Sequence, residues 1–125
     1  MTQEERDLLI KDLCTRLPYG VKVEYENEIF DVEHVCPMYE EVKLDIPETW
    51  TIDVSEVKPY LFPISSMTEV QDKEYALLQT SPCKEGFLYV WNCATMMKWL
   101  IENHFDYNGL IPKGLANDAT GKNIY

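Results

Sequence analysis

The chain has 125 residues, of which 46% are hydrophobic and 26% are charged. This length suits one domain with its own core, and the apolar fraction argues against a wholly disordered chain. Asp and Glu number 22 against 11 Lys and Arg, which gives a formal net charge of −11. Such a surface repels phosphate groups and so disfavours direct binding to nucleic acids or anionic membranes. We expect a single domain over residues 1–125.

The compartment follows from the apolar segments, the N-terminus and the cysteines. No apolar run approaches the roughly 20 residues that cross a bilayer. The charged residues among residues 1–7 are mostly acidic, unlike those of a secretory signal peptide. The cysteines form no C-x-x-C pair, and scattered thiols of this kind are typical of core positions in a reducing cytosol; they are Cys14, Cys36, Cys83 and Cys93. The sequence therefore predicts a soluble cytoplasmic protein with free thiols.

The first predicted element is a helix that ends before Pro18. Thr2 and Glu5 have the spacing of a capping box, in which each side chain accepts a hydrogen bond from an N-terminal backbone N–H. Asp12 and Arg16 form an i,i+4 pair that we expect on the solvent side. The apolar face at helical spacing consists of Leu9, Ile10, Leu13, Cys14 and Leu17.

The next segment alternates apolar and charged residues with a period of two, which is typical of strands packed on one face only. Four such runs follow one another with short links, so they predict an antiparallel meander. The segment from Lys22 to Glu56 contains eleven acidic residues and only two lysines. The alternation places most of these acidic residues on the solvent face. The runs are 21–25, 30–36, 42–46 and 50–54.

The second half of the chain predicts helices and connecting segments. Residues 57–67 contain two prolines and indicate an extended connector. Thr68 and Gln71 form a second capping box, for a helix to about Thr80 with Val70, Leu77 and Leu78 facing inward. Residues 81–86 are a loop, and 87–91 are either a fifth strand or the start of a helix. We expect a further helix over Cys93–Asn103, capped by Asn92, which is apolar enough to pack on the sheet. Residues 117–125 are mostly small and polar, and we expect them to form a mobile tail.

The predicted fold class is therefore α+β. It has an N-terminal helix, a four- to five-stranded antiparallel meander and two further helices, the last packed on the sheet. The predicted core includes Leu13, Val23, Val32, Leu44, Ile52, Met97 and Leu100.

Residues able to bind metal or act as nucleophiles are few. His34 and Cys36 would share one face of a strand, and Cys93 and His104 could join them. Structural zinc sites need three or four ligands with recurrent paired spacing, which this sequence lacks. We predict no metal, no cofactor and no catalytic residue. A small enzyme with an unfamiliar site at His34, Cys36 or His104 stays open as an alternative.

The stretch from His104 to Leu115 joins aromatic, aliphatic and glycine residues without a regular period. Exposed aromatic residues on loops are common binding anchors, so the candidate binding residues are His104, Phe105, Asp106, Tyr107 and Asn108. In the alternative interpretation the aromatic side chains point inward and fasten the loop to the core.

Two segments carry a resemblance to known sequences. They are PYLFPISSMTE at 59–69 and WLIENHFDYNGLIPKGLA at 99–116. Both resemble recurring segments of small uncharacterised proteins encoded by bacteriophages and prophage-like elements of gut bacteria. The resemblance implies a phage or mobile-element setting in the host cell cytosol, and it implies no activity, cofactor or catalytic residue.

Three functional hypotheses remain. The first is a non-catalytic phage or mobile-element accessory protein that binds a host or phage protein. The second is the small enzyme with a Cys/His site. The third is an acidic decoy that mimics nucleic acid for a basic partner, with the acidic sheet face as its binding surface.

Overall fold

A computed structural model describes residues 1–46, 51–80 and 86–125. The predicted α+β class is confirmed: an N-terminal helix, a mostly antiparallel sheet and two further helices. In chain order the elements are α1 (Gln3–Arg16), β1 (Lys22–Tyr25), β2 (Glu28–Cys36), β3 (Glu41–Leu44), β4 (Thr51–Asp53), β5 (Lys58–Leu61), α2 (Glu69–Thr80), α3 (Gly86–Glu102) and β6 (Asn117–Asp118). Some predicted features lie outside the described residues: the link between runs 42–46 and 50–54, Trp50 at the start of the latter, and residues 81–85 of the predicted loop 81–86, which include Cys83.

The strands form one six-stranded sheet in the order β4-β3-β2-β1-β5-β6. Strands β1 to β4 are the predicted meander, and β5 then returns to pair antiparallel with β1. The fifth strand thus comes from the proline-containing connector and not from residues 87–91, which lie in α3. Strand β6 runs parallel to β5, with Tyr60 opposite Asn117.

The core lies between α1 and one face of the sheet. Leu9 and Leu13 of α1 are fully buried in one cluster with Val23 of β1, Val32 of β2 and Val42 of β3, because the helix presents apolar side chains at helical spacing to the apolar face of the strands. The predicted core residues that are buried are Leu13, Val23, Val32, Leu44, Ile52 and Leu100.

Helices α2 and α3 pack on each other, and α3 also contacts α1. The capping box of α2 is confirmed: Thr68 Oγ1 accepts from the Gln71 N–H at 3.2 Å, and Gln71 Oε1 accepts from the Thr68 N–H at 3.0 Å. The prediction that Val70, Leu77 and Met97 face inward is wrong, since all three are exposed. It is α1 that covers the core face of the sheet, so these positions are not needed there.

Helix α3 begins at Gly86, so residues 87–91 are helical and Asn92 lies inside the helix instead of capping it. The period-two pattern also fails in β2. A register shift between Val32 and His34 turns Val35 toward the core and leaves His34 exposed, as a β-bulge does by adding one residue to a strand.

Residues 117–125, expected to be a mobile tail, are held by contacts along their length. The Ala119 N–H donates to the Leu61 carbonyl at 2.8 Å, and Ala119 is buried. The Tyr125 hydroxyl donates to the Tyr60 carbonyl at 2.8 Å and accepts from the Lys22 N–H at 2.9 Å. The pairing of β6 with β5 and the Tyr125 contacts tie both ends of the segment to the sheet.

The Asp12–Arg16 pair was predicted on the solvent side, and this prediction is wrong. Both side chains are 0% exposed, with Arg16 Nε at 2.7 Å from Asp12 Oδ2. Arg16 Nη2 also donates to the Phe105 carbonyl at 2.7 Å, and the guanidinium lies 4.8 Å from the centre of the Tyr107 ring. A chain segment distant in sequence therefore covers this side of α1, which the period of the helix alone does not indicate.

Replacing Asp12 with Ala should lower the free energy of unfolding by about 3–5 kcal/mol, because the Arg16 charge would stay buried without its partner. Urea denaturation measures this change. Asp7→Asn, on an exposed position of the same helix, is the control and should change stability by less than about 0.5 kcal/mol. An Asp12→Ala variant within about 1 kcal/mol of the wild type would contradict this assignment.

Candidate functional site

The end of α3 is a Schellman motif in which His104 takes the left-handed position. His104 has φ +62°, its N–H donates to the Ile101 carbonyl at 3.1 Å, and the Phe105 N–H donates to the Leu100 carbonyl at 2.9 Å. Glycine is the usual residue here, because it adopts positive φ without strain. Histidine adds a contact that glycine lacks: its ring stacks on Tyr125, with 3.6 Å between ring centres.

The chain that follows α3 pairs with the chain that follows β5. The Phe62 N–H donates to the His104 carbonyl at 2.8 Å, and the Asp106 N–H donates to the Phe62 carbonyl at 2.9 Å. These two bonds form a parallel bridge beside the sheet. They join segments 59–69 and 99–116, which carry the sequence resemblance.

Asp106 fixes the turn after this bridge. Its carboxylate oxygens accept from the Leu110 N–H at 2.8 Å and from the Ile111 N–H at 2.9 Å, and its side chain is buried. Gly109 lies within this turn with φ +69°, a left-handed conformation that glycine adopts without strain. Asp106 therefore shapes the loop from within.

The loop is also held from α1. Arg16 binds the Phe105 carbonyl, and Asn108 Nδ2 donates to Asp12 Oδ1 at 2.9 Å. Tyr107 is half-buried against the Arg16 guanidinium. Phe105 is 1% exposed, so it cannot serve as the exposed anchor that the sequence analysis proposed. Of the five candidate binding residues, the structure makes Phe105 and Asp106 parts of the interior.

The ring of Phe105 belongs to a continuous row of aromatic side chains. It stacks on Trp99, with 5.6 Å between ring centres and 16° between planes, and lies 6.2 Å from Phe62. Trp99 continues to Tyr75 at 5.5 Å, and Phe62 continues to Tyr125 at 6.0 Å. We call these five rings the aromatic row. It connects α2, α3, the segment after β5 and the end of the chain.

Two adjoining pockets lie along the aromatic row and share Thr68; we call them together the Thr68 cleft. The smaller has a volume of about 190 Å³ and is lined by Phe62, Ser66, Thr68, Gln71, Phe105, Thr120 and Gly121. The larger has a volume of about 450 Å³ and is lined by Ile64, Ser65, Met67, Thr68, Glu69, Asp72 and Tyr75. The sequence alone does not indicate this cleft, because its walls come from segments far apart in the chain.

The lining gives the two ends of the Thr68 cleft different chemistry. The smaller pocket offers the half-buried Phe62 ring beside the buried Phe105. In the capping box, the side chains of Thr68 and Gln71 take part only through oxygen atoms that accept hydrogen bonds. The Thr68 hydroxyl and the Gln71 amide therefore keep N–H and O–H donors for a ligand. At the larger pocket, the carboxylates of Glu69 and Asp72 favour a positive group.

The rings beside the cleft are electrically neutral near pH 7. Burial, helped by the charges of Arg16 and Lys22, lowers the pKa of His104 to about 4. Burial also raises the pKa of Tyr125 to about 12. His104 Nδ1 is buried without a hydrogen-bond partner in the part of the chain that the structure describes. A neutral imidazole suits the stack on Tyr125, because protonation would place a second positive charge beside Arg16.

The Cys and His candidates do not converge. His34 is exposed on β2, Cys36 is half-buried on the same strand, Cys93 is exposed on α3, and His104 lies in the stack with Tyr125. Within the described ranges, no group of three or more His, Cys, Asp or Glu side chains could hold a metal ion. Cys14 and Cys93 are exposed, so the prediction that they occupy core positions is wrong. Cys14, Cys36 and Cys93 are free thiols, as expected.

The solvent side of the sheet carries lysines among its carboxylates. Lys22 Nζ lies 2.9 Å from Asp31 Oδ1, and Lys43 Nζ lies 2.6 Å from Glu33 Oε2. These cross-strand pairs follow from the register, which sets opposite charges on neighbouring strands. The acidic residues of the meander therefore do not form an uninterrupted negative surface like a nucleic-acid backbone.

Comparison of the chain with protein-family models, with curated proteins and with solved structures finds no match. Among the residues that the structure describes, no helix has the length and apolar character needed to span a membrane. The geometry of the chain itself is therefore the basis for a functional proposal.

The free energy of unfolding should fall as the pH is lowered from about 7 to about 4.5, partly because of His104. An unfolded histidine, with a pKa of about 6.5, binds a proton more readily than folded His104, so protonation favours the unfolded state in this range. His104→Asn keeps a residue that tolerates positive φ but does not titrate, and it should reduce the fall by on the order of 1–2 kcal/mol.

Urea denaturation at several pH values measures this difference, and His34→Asn serves as the control on an exposed histidine. The His34→Asn variant should follow the wild-type pH dependence. If the His104→Asn variant also follows it, then His104 is not held neutral by the folded protein.

Proposed function

We propose that this chain is a non-catalytic accessory protein of a bacteriophage or other mobile genetic element, and that it acts in the host cytosol by binding a segment of a host or phage protein in the Thr68 cleft. The observation that carries the proposal is the aromatic row along the cleft, at the place where segments 59–69 and 99–116 pair. Concave sites with apolar floors and a few polar groups are typical of ligand binding. The phage setting is supported by the sequence resemblance.

The smaller pocket fits one apolar or aromatic side chain of the bound segment. Such a side chain would cover the half-buried Phe62 ring, and its burial contributes roughly 1.5–3 kcal/mol. The donors of Thr68 and Gln71 can then bind backbone carbonyls of the segment. Preformed hydrogen bonds of the capping box hold these groups before binding, which reduces the entropy lost on association.

The larger pocket fits a basic side chain of the same segment. Glu69 and Asp72 supply negative charge there, and Tyr75 supplies an aromatic face that can lie against a cation. Trp99 contacts the Tyr75 ring at an angle of 32° between the ring planes, and it donates a 3.3 Å hydrogen bond to Glu74. The preferred ligand is therefore a peptide with an apolar residue close to Lys or Arg.

The enzyme and decoy hypotheses have less support. His34 and Cys36 lie on β2, whereas His104 follows α3 and stacks on Tyr125. A histidine with a pKa of about 4 is also a poor general base at neutral pH. The decoy hypothesis needs a row of free carboxylates, whereas Lys22 and Lys43 neutralise part of the sheet face.

Selection from a library of random peptides tests the proposal before the natural partner is identified. Peptides selected on the wild-type protein should be enriched in an apolar residue near Lys or Arg. Thr120→Trp, which fills the smaller pocket, should weaken their binding by about tenfold or more. Thr51→Trp, at an exposed position on β4, is the matched control and should bind normally.

The dissociation constants can be measured by fluorescence anisotropy with labelled peptides. The proposal fails if no peptide is enriched, or if the selected peptides bind the Thr120→Trp variant as tightly as the wild type. A host or phage protein captured from cells by the wild type and by Thr51→Trp, but not by Thr120→Trp, would identify the natural partner.

A further inference from the structure

The turn between β2 and β3 exposes two large apolar side chains. Met38 is 85% exposed and Tyr39 is 71% exposed. Turns that only reverse the chain usually carry Gly, Asn, Asp or Ser, because these residues suit both the backbone and the solvent. We call residues 37–40 the hairpin tip. By strand order it lies between β2 and β3, whereas the Thr68 cleft adjoins β5 at the other side of the sheet.

The backbone of the hairpin tip is fixed by local bonds. The Tyr39 N–H donates to the Cys36 carbonyl at 3.2 Å, and the Glu40 N–H donates to the Pro37 carbonyl at 3.3 Å. Pro37 restricts φ at the first corner of the turn. Met38 and Tyr39 are therefore presented on a defined backbone, which lowers the entropy lost when they bind.

A network of side chains ties the hairpin tip to α1 and β4. Glu40, with φ +54°, accepts hydrogen bonds from Gln3 Nε2 and from Arg6 Nε, the latter at 3.0 Å. Arg6 also donates two bonds to Asp53, at 2.7 and 3.0 Å. This bidentate pair sets the position of the guanidinium, and the guanidinium in turn holds the left-handed Glu40.

The surroundings of the hairpin tip are negatively charged. Arg6 hydrogen bonds hold the pKa of Asp53 well below its usual range, and Gln3 and Arg6 lower the pKa of Glu40. Both carboxylates are therefore ionised at neutral pH and share one guanidinium. Glu41, at the base of the turn and opposite Asp53 in the register, adds a further carboxylate.

We propose that the hairpin tip is a second docking element, which inserts Met38 and Tyr39 into an apolar pocket bordered by Lys or Arg on another protein. The apolar pocket would bury the two exposed side chains, and the basic border would face Glu40, Glu41 and Asp53. Because this surface is separate from the Thr68 cleft, the chain can hold two proteins together.

A second copy of this chain is a poorer occupant than a basic protein. The chain carries a formal net charge of −11, so two copies repel each other. Association of the tip with a basic pocket should instead be strengthened by attraction, and should weaken as salt is added, since exposed charges are screened beyond about 10 Å at 0.1 M.

The test compares a double variant, Met38→Ser/Tyr39→Ser, with a control, Tyr19→Ser, which removes an exposed aromatic side chain elsewhere on the surface. Tagged wild-type and variant proteins are used to capture proteins from host cells. We call Met38→Ser/Tyr39→Ser the tip variant. Each protein captured by the wild type and by Tyr19→Ser, but not by the tip variant, is purified. Its dissociation constant is then measured by calorimetry at low and high salt. Circular dichroism and thermal melts establish that the tip variant is folded.

The proposal expects one such protein to bind the tip variant about 30-fold more weakly than the wild type. It should bind the Tyr19→Ser variant normally and lose affinity at high salt. The Thr120→Trp variant should also bind it normally, which separates this surface from the Thr68 cleft. Three results would overturn the proposal: the tip variant captures every protein that the wild type captures, the purified partner binds the tip variant as tightly as the wild type, or the substitutions change only the self-association of this chain.

Discussion

The buried Arg16 guanidinium joins the first helix to the last loop, and the cleft depends on that connection. Its contacts with Asp12, the Phe105 carbonyl and Tyr107 bring two distant parts of the chain together. Arg16 and Phe105, which share one of these hydrogen bonds, are 89 positions apart in the sequence. A planar guanidinium can make these bonds at once because its donors point in several directions. With Phe105 held in this way, its ring lies where it can stack on Trp99 and contact Phe62.

The rest of the site is built outward from this position. The parallel bridge at Phe62 aligns the segment that leads into α2, and the capping box at Thr68 then starts that helix beside the aromatic row. The segment that ends in Tyr125 closes the other side and contributes Thr120. The proposed docking tip joins β2 and β3, whereas the proposed peptide-binding cleft adjoins β5. Helix α1 lies across the core face of the sheet and supports both, through Arg6 and Arg16.

Local signals in the sequence were enough to predict most of the elements. Both capping boxes form as their spacing indicates, and the alternating runs become the strands of the meander. Interactions between distant segments were not predictable in this way. An i,i+4 pair such as Asp12–Arg16 is usually exposed, but here the pair is buried and contacts the loop after α3. The bulge before His34 reverses the alternation that placed this residue inward, and the positive φ of His104 occurs where glycine would be expected. The walls of the cleft come together only through the tertiary fold.

Hydrogen exchange in an Arg16→Lys variant tests most directly whether Arg16 holds the loop and the cleft in place. Lysine keeps the charge but cannot reproduce the fork that binds Asp12 and Phe105 together. The amides of Leu110 and Ile111, which donate to Asp106, should lose protection by about tenfold or more in the variant, through local opening of the loop. The amides of the β2–β3 pairing should lose much less. Equal loss of protection in the loop and in the sheet, or no loss in either, would contradict the central role assigned to Arg16.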